Sequence, residues 1–98
     1  MSSETPTRKD SLLDDRLYRV AQLRLHLGEL PRADPTRVFG GQGSCLSCSL
    51  CNAAILESSL EFEADYQPAT ADGGEPHTFR FHAVCYQIWD YERHRLRR

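Results

Sequence analysis

The sequence has no long apolar run, almost no lysine and no excess of positive charge. No apolar stretch approaches the ~20 residues that a transmembrane helix needs. The polar start, Met1–Pro6, lacks the apolar core of a secretory signal. Lys9 is the only lysine, and the formal net charge is −2, which is not the basic balance of a general nucleic-acid binder. We therefore expect a cytoplasmic protein that does not contact membranes.

The sequence also lacks the length for a large hydrophobic core. Its 98 residues allow one small domain with an appendage. The part from Cys45 onward is little more than half of the chain, and so short a segment buries too little surface to be stable unaided. A structural zinc ion contributes roughly 10–16 kcal/mol in zinc-finger peptides, which matches or exceeds the net stability of a typical domain, about 5–15 kcal/mol. We predict a fold that depends on a metal.

The sequence does contain cysteine and histidine at metal-ligand spacing. Cys48-x2-Cys51 followed by His82-x2-Cys85 supplies three thiolates and one imidazole, the ligand set of a closed tetrahedral zinc site. Zn²⁺ is favoured over iron by this mixed set. Two disulfides are the alternative, but they would not explain the position of His82. Because four protein ligands leave no position for a catalytic water, we expect no enzyme.

A further cysteine leaves open which pair forms the first half of the site. Cys45-x2-Cys48 has the same spacing as Cys48-x2-Cys51. We favour Cys48 and Cys51, because Asn52 suits the left-handed backbone that follows the second cysteine of a tight metal-binding turn. Cys45 is then a free thiol beside the site. The alternatives are that Cys45 serves as a substitute ligand or as a thiol- or metal-responsive switch.

The chain before the cysteines divides into three segments. Residues 1–10 are polar and are predicted to be a disordered tail. Residues 11–30 show the apolar repeat of an amphipathic helix, and residues 31–44 contain the proline and glycine of a linker. An isolated helix of this length is marginal in water, so its apolar stripe must be covered. We expect the stripe to pack on the metal module, on a protein partner or on a second copy of the chain. The stripe comprises Leu13, Leu17, Val20, Leu23, Leu27 and Leu30.

Residues 45–98 are predicted to form the zinc module. Apolar residues alternate with acidic ones from Leu60 to Asp65, which indicates a strand, and residues 78–81 form a second strand. A helix from His82 to about Leu96 would carry His82 and Cys85 in its first turn, where residues three apart share a face. Trp89 is expected to pack in the core. The fold class is small α+β: a zinc-stabilised treble-clef-like finger of knuckle, β-hairpin and helix, with an N-terminal amphipathic helix.

Residues 45–92 resemble the poly(ADP-ribose) polymerase-type zinc finger and, less closely, LIM-type half-sites. The resemblance lies in the ligand pattern, in which 30 residues separate Cys51 from His82, and in several flanking residues. These flanking residues are Ile55, Ser59, Leu60, Phe81, Tyr86 and Trp89. The family implies recognition of DNA ends through a basic grip and an exposed apolar loop.

The charge pattern favours a different function. Acidic residues greatly outnumber Arg80 between Cys45 and His82, and an acidic strand face repels a phosphate backbone. Our first hypothesis is therefore a non-catalytic zinc-binding module that acts as a regulatory or adaptor protein through protein contacts. The second is a finger that binds DNA ends or single strands through its basic C-terminus. The contacts would come from Arg93, Arg95, Arg97 and Arg98.

Overall fold

The computed structural model describes residues 4–67 and 76–96, with side chains from residue 15 onward. Two helices and three strands follow one another along the chain. They are α1 (Glu4–His26), β1 (Arg37–Gln42), β2 (Leu60–Tyr66), β3 (His77–His82) and α2 (Ala83–Leu96). The strands form one antiparallel sheet in the order β1-β2-β3, which confirms the small α+β class. Among the described residues, no helix has both the length and the apolarity to cross a membrane.

Strand β1 lies inside the segment that was predicted to be a linker. It pairs with β2 from Arg37 opposite Asp65 to Gln42 opposite Leu60. All six of its residues are exposed, so it lacks the alternation of buried and exposed positions by which strands are detected in a sequence. Gly40 also disfavours a strand prediction, because glycine is depleted in strands. Its lack of a side chain leaves room for the ring of Phe62, which would lie 3.2 Å from a Cβ at this position.

Helix α1 begins at Glu4, inside the predicted tail, and ends at His26, before the predicted end. Gly28 has a left-handed backbone with φ of 79° and stops the helix there. The predicted stripe is only partly right, because Leu23 and Leu27 are 56% and 58% exposed. The buried face is instead centred on Ala21 and Leu25.

The orientation of α1 follows from its packing on α2. The rings of Tyr18 and Tyr91 meet edge to face with centroids 5.9 Å apart, and Gln22 donates to Glu92 at 3.3 Å. Leu17 and Val20 pack partly against the core, whereas the side chain of Leu13 lies outside the described residues. The small residue Ala21 is fully buried on this helix, and the leucine repeat alone did not reveal it.

The core lies between α2 and one face of the sheet. Trp89 is fully buried and stacks on Phe81 with ring centroids 4.8 Å apart. Its indole N–H donates to the carbonyl of Pro31 at 3.0 Å, which anchors the chain just after α1. Tyr86 stacks on Phe62 of β2 at 4.8 Å. The predicted core role of Trp89 is therefore confirmed.

Gly43, between β1 and the cysteine segment, has no room for a side chain. A Cβ at this position would overlap the backbone oxygen of Leu56 and lie 2.7 Å from that of Ile55. We expect Gly43→Ala to lower the free energy of unfolding by about 2–3 kcal/mol, because backbone cannot move aside as a flexible side chain can. Gly41→Ala is the matched control, since nothing lies within 4 Å of its Cβ. Denaturant unfolding of both variants tests this; equal losses would contradict it.

Candidate metal centre

The first ligand pair lies at the tip of a short hairpin, residues 45–55. The hairpin is held by backbone bonds from Cys45 to Ile55, from Ile55 to Leu46 and from Cys48 to Ala53, each 2.8 Å long. At the tip, Asn52 donates to the carbonyl of Cys48 at 2.9 Å. Asn52 has φ of 69°, so the left-handed residue predicted at this position is confirmed. We call the turn 48–52 the knuckle.

Hydrogen bonds hold the knuckle against strand β3. The backbone N–H of Ser49 donates to the carbonyl of Arg80 at 2.6 Å, and the N–H of Arg80 donates back to Oγ of Ser49 at 3.1 Å. This contact brings the knuckle to the end of β3. His82 is the last residue of that strand, and Cys85 lies in the first turn of α2. The prediction that both residues belong to the helix is therefore corrected for His82.

The side chains of Cys48, Cys51, His82 and Cys85 converge at one point. Their ligand atoms all lie within 4.8 Å of one another. Nδ1 of His82 is 3.4 Å from Sγ of Cys51 and 3.9 Å from Sγ of Cys85. Zn–S and Zn–N bonds of about 2.3 and 2.0–2.1 Å place sulfur and nitrogen about 3.5 Å apart around a tetrahedral ion. These four residues are therefore positioned to hold a metal ion.

The ring of His82 is oriented by a second contact outside the ligand set. Its Nε2 lies 3.2 Å from the carbonyl oxygen of Ala54. A carbonyl only accepts, so Nε2 carries the hydrogen and donates it. In the neutral ring Nδ1 is then the nitrogen without a hydrogen, and it faces the sulfur atoms of Cys51 and Cys85. An outer partner of this kind is typical of metal-binding histidine and fixes both tautomer and orientation.

The electrostatics of the cluster favour a bound cation. The sulfur of Cys85 shares a hydrogen bond with that of Cys48, which lowers the pKa of Cys48 and raises that of Cys85. Burial raises the pKa of Cys51. Leu50 donates its backbone N–H to Sγ of Cys48 at 3.4 Å and further stabilises the thiolate. Without a metal, the thiolate of Cys48 is therefore stabilised by the protonated thiol of Cys85. A coordinating metal, in contrast, deprotonates thiols outright.

The centre is shielded but not wholly enclosed. Cys48 and Cys85 are 1% and 2% exposed, while Cys51 and His82 are half-buried. All four cysteines of the chain are free thiols, as the metal hypothesis requires. Cys45 is exposed and is not among the four clustered residues. The structure thus brings together the favoured pair, Cys48 and Cys51, and leaves the alternative ligand outside.

The structure describes two of the four arginines that were predicted to contact nucleic acid, Arg93 and Arg95. Arg93 is only 4% exposed and forms ion pairs with Asp34 at 2.7 Å and Asp90 at 2.8 Å. Its guanidinium also lies 4.9 Å from the ring centroid of Trp89. The predicted contact between Arg93 and nucleic acid stays a prediction, and the buried, paired guanidinium gives it no support. Arg95 pairs with buried Glu92 at 2.8 Å. Arg97 and Arg98 lie outside the described residues.

The three remaining histidines are not ligands among the described residues. His26 is exposed at the end of α1, and His77 is the first residue of β3, one residue before the predicted start of that strand. His94 is also exposed, in the last turn of α2, with Nδ1 2.7 Å from the carbonyl of Asp90. None of them belongs to the Cys/His cluster.

Sequence reasoning missed a buried carboxylate next to the start of the hairpin. Glu61 of β2 is 6% exposed and accepts hydrogen bonds from the backbone N–H and the hydroxyl of Ser44, at 2.8 and 2.7 Å. Arg80 lies 3.4 Å from Glu61 and 3.1 Å from Glu63. These contacts attach the start of the hairpin to the sheet. The strand register, in which Glu63 faces Arg80, accounts for the Glu63–Arg80 ion pair, and the sequence carries no local signal for the Ser44–Glu61 bonds.

Comparisons of the chain with family models, curated proteins and solved structures found no match. The resemblance to the poly(ADP-ribose) polymerase-type finger therefore stays an interpretation of the ligand spacing and the flanking residues.

Proposed function

We propose that the protein is a non-catalytic zinc-binding module that acts as an adaptor or regulatory protein through contacts with other proteins. The observation that carries the proposal is the convergence of Cys48, Cys51, His82 and Cys85, with ligand atoms within 4.8 Å of one another. Thiolate and imidazole in this ratio suit zinc, and they suit magnesium or calcium poorly. The knuckle is followed by the antiparallel pair β2–β3 and then by α2. This order supports a treble-clef-like finger.

A structural role for the ion follows from the elements that its ligands join. Cys48 and Cys51 lie on the hairpin tip, His82 ends β3, and Cys85 lies in the first turn of α2. One ion bound there would hold three elements that otherwise share a small core. A catalytic ion would need an open position, which four protein ligands do not provide. The same count supports the absence of enzyme activity at this centre.

Protein contacts are favoured over nucleic acid by the described surface. Leu23 on α1 and Leu27 just after its end expose their apolar side chains, at 56% and 58%, and are candidate contacts for a protein partner. One of the four arginine candidates for a phosphate contact, Arg93, is buried and ion-paired. The DNA-binding alternative then depends on Arg95 and on arginines outside the described residues.

Native mass spectrometry with and without a chelator tests the proposal. We expect one zinc ion per chain, lost on chelation, and the same spectra report self-association. Iron in place of zinc, or no bound metal, would contradict the zinc site. Titration with single-stranded and nicked DNA at low salt is the second arm. A complex that weakens steeply as salt is added would favour the nucleic-acid alternative over the adaptor.

A further inference from the structure

An open cavity lies at the opposite end of β3 from the metal centre. Its volume is about 320 Å³, which is within the range of small-molecule sites. His77 of this cavity begins β3, whereas the ligand His82 ends the same strand. The cavity lies between the end of the sheet and the turn that follows α1. Its lining residues are Gly28, Glu29, Pro31, Tyr66, His77 and Phe79.

Aromatic rings form the sheet side of this cavity. Tyr66 and Phe79 meet at an interplanar angle of 90° with centroids 5.8 Å apart, so their faces form a corner. Tyr66 is fixed in place because its hydroxyl donates to the carbonyl of Ala33 at 2.6 Å. His77 lies directly opposite Tyr66 across the strand pair. Both Tyr66 and Phe79 are half-buried, which leaves part of each ring available to a ligand.

The opposite wall carries a carboxylate. Among the described residues that line the cavity, Glu29 is the only acidic one, and its side chain is 52% exposed. Its backbone N–H donates to the carbonyl of Arg24 at 2.8 Å, which positions it after the end of α1. The Arg24 side chain lies 3.4 Å from the same carboxylate and partly neutralises it. A cation in the cavity would therefore compete with Arg24 for Glu29.

We propose that this cavity binds an alkylammonium cation between the rings of Tyr66 and Phe79 and the carboxylate of Glu29. The faces of aromatic rings are negative and attract cations within about 6 Å of the centroid, most effectively when the cation is weakly hydrated. A methylated ammonium is a cation and is weakly hydrated, so it suits the ring faces. Its methyl groups would also contact the apolar wall at Pro31. The site does not depend on the metal chemistry, and it gives the protein a binding function distinct from zinc.

Choline and its neutral isostere 3,3-dimethylbutan-1-ol separate cation binding from simple burial of apolar surface. Each is titrated into zinc-loaded protein, and amide shifts of residues 66, 77 and 79 are followed by NMR. We expect choline to bind at least about fivefold more tightly than the neutral isostere, because only choline gains the cation–π and carboxylate interactions. Equal affinities, or shifts located elsewhere, would overturn the proposal.

Two surface variants are expected to act in opposite directions. Glu29→Gln removes the carboxylate and should weaken choline binding about threefold or more, whereas Arg24→Gln frees the carboxylate and should tighten it about twofold. Glu57→Gln is the matched control, because Glu57 is an exposed acid outside the cavity. A third variant, Phe79→Leu, removes a ring and should abolish the preference for choline. If choline affinity responds to neither Glu29→Gln nor Arg24→Gln, the charge-based site is excluded.

The cation could be a free small molecule or a methylated lysine side chain of another protein. A short peptide with one trimethyllysine, the same peptide with unmodified lysine, and choline distinguish them. If the trimethyllysine peptide binds more tightly than choline and than the unmodified peptide, the ligand is a protein side chain. If choline binds as tightly as the modified peptide, the ligand is a small cation. Binding of neither would refute the site.

Discussion

Removal of the metal is expected to abolish the cooperative unfolding transition of the protein, not only to lower its midpoint. The four clustered residues lie on the knuckle, at the end of β3 and at the start of α2, so one ion bound there would join the elements that surround the core. Zinc binding contributes roughly 10–16 kcal/mol in finger peptides, and a small domain has about 5–15 kcal/mol of net stability in total. Circular dichroism melts and amide NMR spectra, recorded with and without a chelator, measure the effect.

The matched variants are Cys85→Ser and Cys45→Ser. Cys85 is 2% exposed and belongs to the cluster, whereas Cys45 is exposed and lies outside it. We expect Cys85→Ser to reproduce most of the effect of chelation and to lower zinc affinity steeply, since serine is a poor zinc ligand. Cys45→Ser should leave both melting and zinc affinity unchanged. Demetallated protein that kept a cooperative melt and a dispersed amide spectrum would show that the core suffices without the ion.

The Cys45→Ser variant also tests the thiol-switch alternative. Cys45 has a left-handed backbone with φ of 67° and donates its N–H to the carbonyl of Ile55. These features place it at the base of the hairpin rather than at the tip that carries Cys48. A change in oxidation behaviour or in metal affinity in this variant would favour the switch. Unchanged behaviour would leave Cys45 as an exposed thiol without a role at the centre.

The metal centre could be predicted from the sequence because ligand chemistry depends on residue type and local spacing. Cys48 and Cys51 are brought together by a single turn, and Asn52 marks the left-handed position that closes it. His82 and Cys85 are neighbours across the junction of β3 and α2. The structure of the 30 residues between the two pairs did not have to be predicted. Two strong local motifs with complementary ligands already indicate one site.

The features that escaped prediction depend on contacts between distant segments. β1 is a strand because it pairs with β2, although all six of its residues are exposed. Arg93 belongs in the core because Asp34 and the ring of Trp89 meet it there. The local sequence reveals neither the pairing of β1 nor the burial of Arg93, since an arginine near a helix end is usually solvated. Burial of α1 through Ala21 rather than Leu23 likewise depends on which face of the helix meets the core, and the leucine repeat does not show this.

Truncation of Trp89 is expected to cause the largest loss of stability of any substitution outside the ligand set. Trp89 is fully buried, stacks on Phe81 at 4.8 Å and donates to Pro31 at 3.0 Å. Trp89→Ala would leave a large cavity and would also remove the ring beneath the buried charge of Arg93. We expect the free energy of unfolding to fall by about 3–5 kcal/mol. Denaturant unfolding followed by circular dichroism is the measurement, because Trp89 is the only tryptophan and its fluorescence is lost.

Tyr91→Ala on the same helix is the control for loss of an aromatic ring. Tyr91 is 57% exposed and contacts Tyr18 only at an edge, so its truncation should cost about 1 kcal/mol or less. Trp89→Phe should give an intermediate loss, because it keeps a ring over Phe81 but gives up the hydrogen bond to Pro31. Similar losses for Trp89→Ala and Tyr91→Ala would mean that the stacked rings contribute little. The metal alone would then hold α2 on the sheet, and zinc-saturated Trp89→Ala would unfold at nearly the same denaturant concentration as the unmodified protein.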